Sequence, residues 1–198
     1  MRNEAAGSLD RARPGASLTG APMTTFDLAL LILRLAVGLT FAAHGAQKAF
    51  GWWGGAGPAG WLKAVHGMGF HPPALFAAAA IGGELVAGLA LALGFVTPLA
   101  AAVLVAQAIV ISVVAHLPKG FFSTNGGFEF PFVLGAASMA IGLVGAGALS
   151  LDGLFQLEFA PGVRALLPLA GLLAGFAALG LRGLARPASR PVRRPGWS

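Results

Sequence analysis

The chain reads as an all-α, polytopic membrane protein, and three observations carry that reading. Hydrophobic residues make up 57% of its 198 residues and charged ones only 10%, against roughly 25% charge in an ordinary soluble domain. Apolar runs of membrane-spanning length recur along it, which separates it from a secreted protein with one signal sequence. Its 30 glycines suit close helix approach where lipid is the competing solvent. Cysteine is absent, so disulfides, thiolate redox centres, iron–sulfur clusters and covalently attached haem are excluded. Any redox chemistry must then draw on a bound organic cofactor or a partner. Nor does the net charge of +6 point to nucleic acid. Arg182, Arg186, Arg190, Arg193 and Arg194 crowd a short C-terminal tail, which reads as a topology determinant beside anionic lipid.

The elements follow in order. Residues 1–24 are polar, contain Pro, Gly and Ser, and lack periodicity, so they read as a disordered tail. A four-helix membrane domain is expected over 25–152. Its first segment runs from about Asp27 to Phe50, where Thr24 or Thr25 can cap and Asp27 favours the helix N-terminus. Residues 51–73 read as a long Gly/Trp/Pro loop whose Trp52, Trp53 and Trp61 suit the membrane interface. The second segment spans Ala74 to Phe95 and turns through Thr97-Pro98 into a third, which ends near His116. The Asn125-Gly126-Gly127 turn precedes a fourth from about Phe130 to Leu149. Within 153–183, the stretch Ala165 to Leu181 predicts a fifth, C-terminal transmembrane helix, and 184–198 is a basic tail. The fifth stretch carries Pro168 and reaches only about 26 Å, a little under the bilayer core. With five spans the two tails lie on opposite sides; the C-terminal one, richer in arginine, is expected to be cytoplasmic.

Segments that reverse direction at each loop bring most of the polar residues to one edge of the membrane. His44, Gln47 and Lys48 close the first segment, Glu84 interrupts the second, and Gln107 and His116 lie on the third. Lys119, Asn125 and Glu129 occupy the turn before the fourth. Counted from the loop edge, Glu84 lies near mid-membrane, where an ionised carboxylate needs a cation or a proton. Arg34, from below, and His44, from above, are its expected partners. On the first segment Arg34, Gly38, Phe41, Gly45 and Lys48 form one stripe, whose glycines admit a neighbouring helix. The bland alternatives are a Glu84 clamp that only locks packing and a Lys48 that snorkels to the headgroups.

Other patterns carry little. Residues 55–60 match GxGxxG but lack the flanking strand and helix that give the motif meaning. His44 with His116 is too little for a haem, and His66 with His71 lacks an acid, so no metal site is expected.

The strings His44-Gly45-Ala46-Gln47-Lys48-Ala49-Phe50-Gly51, Gly83-Glu84, His116-Leu117-Pro118-Lys119-Gly120-Phe121-Phe122 and Asn125-Gly126-Gly127-Phe128-Glu129-Phe130-Pro131 resemble the DoxX family of prokaryotic inner-membrane proteins. The resemblance covers about residues 27–152 and implies a four-helix membrane core associated with quinone-linked or thiol-stress oxidoreductase systems. On this reading the chain is a quinone-interacting subunit or partner of a membrane oxidoreductase in the bacterial inner membrane, with quinone as the cofactor. Glu84 and His44 are the expected catalytic proton relay. Gln107 or His116 is the expected hydrogen-bond partner of a ring oxygen, and Arg34 is expected among the substrate-binding residues. Lys48, Lys119, Asn125 and Glu129 are the expected substrate-binding mouth. The competing class is a non-enzymatic scaffold or small-molecule transporter, distinguishable by solute flux without a redox cofactor.

Overall fold

A computed structural model of the chain describes residues 24–184. The tail expected before Thr24 and the arginines after Leu184 lie outside the described residues, within which there is no β-strand. The elements are α1 (Thr25–Phe50), α2 (Gly57–Gly67), α3 (Pro73–Leu93), α4 (Thr97–Lys119), α5 (Glu129–Val144), a single turn α6 (Leu151–Leu154) and α7 (Pro161–Leu184). Of these, α1, α3, α4 and α7 are long and apolar enough to cross a membrane, while α5 is a shorter apolar helix.

Local chemistry sets the ends. Thr24 and Asp27 form a reciprocal capping box: the Asp27 amide donates to Thr24 Oγ1 and the Thr24 amide to Asp27 Oδ2, each at 3.2 Å. At the other end Gly51 takes φ +72°, the left-handed cap glycine adopts without strain. Between Gly51 and Pro73, the expected loop instead holds α2, an 11-residue helix that starts with Pro near its N-terminus. The fourth segment stops at Val144, short of the expected Leu149. There the chain bends back and the Ala148 amide donates to Asp27 Oδ1 at 2.9 Å, fastening residues beyond α5 to the start of α1. By contrast the fifth segment is longer than its apolar stretch, with 24 residues. Pro168 is buried against Gly142 of α5, where an added Cβ would lie 2.6 Å from the proline ring.

Glycines fix the order of neighbours. A Cβ on Gly38 would fall 2.5 Å from the Gly88 carbonyl, and one on Gly45 2.5 Å from the Leu85 amide, so α1 and α3 run antiparallel at close range. Gly142 meets Ala101, while Gly171 and Gly175 meet Ala102 and Ala106, so α5 runs against α4 and α7 runs along it. The chain thus passes between the two ends of the bundle on α1, α3, α4, α5 and α7. The start of the first and the end of the last therefore lie on opposite sides. Reporter fusions after Gly20 and after Ser189 are therefore expected to report opposite sides of the membrane; the same side for both would remove one crossing.

Between the ends lies a packed apolar layer in which Leu91, Ala101, Leu104 and Ile141 are fully buried and Phe41 nearly so. Arg34 lies on one side of it and Glu84 on the other. Arg34 is fully buried at the far end, where it donates to the Leu149 carbonyl and lies against Gly94. Asp152, also buried, accepts from the Val96 amide at 2.7 Å and the Thr97 amide at 3.0 Å, capping α4 from outside the helix. This knot ties α1, the α3–α4 turn and the residue 149–152 loop together.

Candidate functional site

The opposite end holds a cavity of about 450 Å³ walled by α1, α2, α3, α4, α5 and α7. Its surface is mostly apolar, from Phe41, Trp61, Val65, Phe70, Phe76 and Leu134 among others, and its polar wall consists of His44, Lys48, Glu84, Gln107 and His116. A concave apolar slot with a few convergent polar groups is the usual form of a small-molecule site. A second groove of about 380 Å³, between α4, α5 and α7, has only Ser112 as a polar side chain and offers no comparable chemistry.

Glu84 is placed by a break in its helix. Residues Gly83–Ala87 form a π turn, an insertion that swells an α-helix and recurs at functional sites. Glu84 is buried, and Oε1 accepts from Lys48 Nζ as an ion pair. Lys48 in turn stands 4.5 Å from the centre of the Trp61 ring, a cation–π contact that fixes the ammonium from its other side. The second carboxylate oxygen, Oε2, is buried and has no hydrogen-bond partner. Glu84 thus borders the cavity with one oxygen paired and one buried without a partner.

One expected partnership, that of Arg34, is thereby corrected, and His44 is placed beside Glu84 on the cavity wall without a hydrogen bond to it. Arg34 does not pair with Glu84 and does not line the cavity. Because Gly45 lies opposite Leu85, Glu84 is level with the last turns of α1, and Arg34, eleven residues before Gly45, is about 16 Å further down. Depth counted from a common loop edge hides this: α3 starts about 10 Å beyond the end of α1 along the bundle. His44 lines the cavity but is exposed, not buried, with its ring 6.3 Å from that of Phe130. Its Nδ1 donates to Gln47 Oε1 at 3.2 Å.

On α4, Gln107 lies at the level of Gly83 and donates through Nε2 to the Ala79 carbonyl at 3.0 Å. His116 ends a second π turn, Ser112–His116. Its Nδ1 donates to the Gly126 carbonyl at 2.7 Å; a carbonyl can only accept, so Nδ1 carries the proton and Nε2 is left as acceptor. This bond links the cavity to the 120–129 turn. There Gly126 takes φ +76°, and a Cβ on Gly127 would fall 2.4 Å from the Gly120 carbonyl. Glu129 accepts from the Ser123 amide and hydroxyl, both at 2.9 Å, which closes the turn. Lys119, Asn125 and Glu129 are therefore brought together with one another and stand behind His116, outside the cavity wall.

Sequence reasoning missed the roof. Trp61, Val65 and Met68 reach the cavity from α2 and the turn after it, and Phe70 and Phe76 follow. Their spacing of four and three after Pro58 is a helical signal within the Gly-rich stretch. The roof is tied down by Arg182 of α7, whose Nε donates to the Met68 carbonyl at 2.6 Å and whose guanidinium lies 5.8 Å from the Phe70 ring centre. His66 and His71, also in this region, have ring centres 5.5 Å apart and are exposed. Among the described residues no group of three or more potential ligands could hold a metal ion.

An all-α multi-pass membrane protein with a one-ended polar cavity is the class that this fold and site define. The DoxX family profile matches residues 29–117. Over that stretch the chain is similar to the DoxX family, and the matched region contains His44, Lys48, Glu84, Gln107 and His116. Lys119, Asn125, Glu129 and all of α5 and α7 lie beyond it. Comparison with curated proteins and with solved structures gave no significant match.

Proposed function

We propose that the protein is a quinone-interacting subunit or partner of a membrane oxidoreductase system, residing in the bacterial inner membrane. The observation that carries this reading is the buried Glu84–Lys48 pair set in the wall of a largely apolar, aromatic-lined cavity within the membrane bundle. A ring that arrives through lipid fits the apolar walls, and its oxygens need groups that take or give protons. Glu84, with His44 at the exposed rim, would supply the proton relay. Gln107 and His116 would orient the ring. Lys48 acts from inside the wall, where it holds Glu84 and Trp61 in place. Electrons would pass between the ring and a partner, since the chain has no cysteine for a cluster or thiol couple.

The scaffold or transporter reading finds less support. A pathway across the membrane would have to breach the layer of Leu91, Leu104 and Ile141, all fully buried, between Glu84 and Arg34. Protein extracted in mild detergent is expected to carry bound quinone, detected by extraction into organic solvent and chromatography. Quinone-free protein that conducts a solute in proteoliposomes would reverse the choice.

The turn behind His116 supplies a second test. Gly126→Val forces a β-branched residue into φ +76°, at a cost of roughly 1–3 kcal/mol if the turn held its shape. The turn is expected to open instead and release His116, weakening binding of a short-tailed hydroquinone several-fold while membrane insertion is retained. Asn125→Ala is expected to act in the same direction and more weakly. Unchanged binding in both would leave the turn as a connector.

A further inference from the structure

Each N–H-bearing side chain of the cavity engages a donor with protein, while acceptors on Glu84, Gln107, His44 and His116 are left over. Trp61 Nε1 donates to the Ala77 carbonyl at 3.3 Å. Gln107 Nε2 donates to the Ala79 carbonyl and is wedged against Gly83, where a Cβ would lie 2.3 Å away, so its Oε1 is the unengaged end. His116 Nδ1 is engaged by Gly126 and His44 Nδ1 by Gln47 Oε1, which leaves each Nε2 as acceptor. Lys48 gives one N–H to Glu84 Oε1 and lies against the Trp61 face, so its remaining N–H groups and the second N–H of Gln107 are the donors left over, none of them bonded to Glu84 Oε2. Glu84 Oε2 is buried and without a partner.

From this pattern we infer that the cavity takes its ligand as a hydrogen-bond donor, a hydroxylated ring of the hydroquinone type, and discriminates against the corresponding quinone. The inference rests on the quinone reading for the ring and on the donor and acceptor pattern for its redox form. A hydroquinone hydroxyl can donate to Glu84 Oε2 and the other to His116 Nε2 or Gln107 Oε1. A quinone carbonyl accepts only, so it would set lone pair against lone pair at a desolvated carboxylate and leave that oxygen unsatisfied. The charge of Glu84 is balanced by Lys48 before any ligand arrives, so a neutral donor suits the site better than a cation.

The test uses four compounds of similar tail length on the full-length protein in detergent: a decyl-substituted benzohydroquinone, its dimethyl ether, the matching benzoquinone, and decanol. Binding is measured by calorimetry under anaerobic, reducing conditions for the first and without reductant for the others. The hydroquinone is expected to bind at least about tenfold more tightly than the ether and the quinone, the scale of one hydrogen bond to a charged group. Glu84→Gln, which adds an N–H donor at this position, is expected to bring that ratio towards one. The ratio is unaffected by partial loss of folded protein. Quinone binding as tight as hydroquinone binding overturns this inference and leaves the quinone reading standing. Decanol binding as tight as hydroquinone binding, with the ether and quinone weak, keeps the donor rule and removes the ring, so the quinone reading falls instead. No binding by any of the four overturns both.

Discussion

Lys48→Met is expected to destabilise the protein by about 3–5 kcal/mol, because it strands a buried carboxylate whose other oxygen already lacks a partner. Glu84→Gln is expected to cost less, about 1–2 kcal/mol. The asymmetry comes from position. The Glu84 side chain is 1% exposed and Lys48 16% exposed, and Lys48 lies in the last turn of α1, where a long side chain can swing towards the rim and regain water. A carboxylate deep in the π turn has no such escape. The double variant Lys48→Met with Glu84→Gln removes both charges and is expected to recover most of the loss, since a pair replaced by neutral groups of similar volume is often nearly neutral in stability. Denaturation of the purified variants in mixed micelles measures all three. Ligand binding should be lost in the double variant in spite of its recovered stability, which separates the role of the pair in the site from its role in packing. Equal losses in the two single variants, with no recovery in the double, would mean that Lys48 and Glu84 do not act as a pair.

The residues that the bundle brings to one end were legible because they follow from direction alone. Each apolar segment reverses the chain, so His44, Lys48, Glu84, Gln107 and His116 had to collect near one edge. The glycine stripe on α1 likewise marked the face that α3 occupies. Pairings were not legible, because they depend on relative depth. Counting from loop edges assumes that neighbouring helices begin level, and the rise of α3 past the end of α1 moves Glu84 away from Arg34 and up to Lys48. The two π turns leave no trace in hydrophobicity, since an extra residue in an apolar run remains apolar. Helix α2 was hidden by a composition of Gly, Trp and Pro that favours loops, although Trp61, Val65 and Met68 keep a helical interval. The span of α7 was underestimated because Arg164 and Arg182, on either side of its apolar stretch, look like boundaries in sequence. In the fold Arg164 donates to the Val144 carbonyl at 2.8 Å and Pro168 fills space against Gly142.

Asp152→Ala is expected to cost about 2–3 kcal/mol while leaving ligand binding by the surviving folded protein unchanged. Two losses add at this position. The carboxylate caps α4 through the Val96 and Thr97 amides, a contribution of about 1–2 kcal/mol. It also offsets part of the charge of Arg34 from a distance, without an ion pair between them; Arg34 is fully buried and has two guanidinium nitrogens without hydrogen-bond partners, so this second loss is about 1 kcal/mol. Asp152→Asn should recover only a small part, because one amide end can accept from a backbone N–H while the other sets donor against donor. The distance to the site makes the second half of the prediction. About 16 Å of helix and the packed layer of Leu91, Leu104 and Ile141 stand between this knot and Glu84. Thermal unfolding in detergent, together with ligand affinity measured well below the midpoint, reads the two effects separately. If Asp152→Asn lowers ligand affinity as much as Glu84→Gln does, the apolar layer does not insulate the two ends, and Arg34 belongs with the binding site after all.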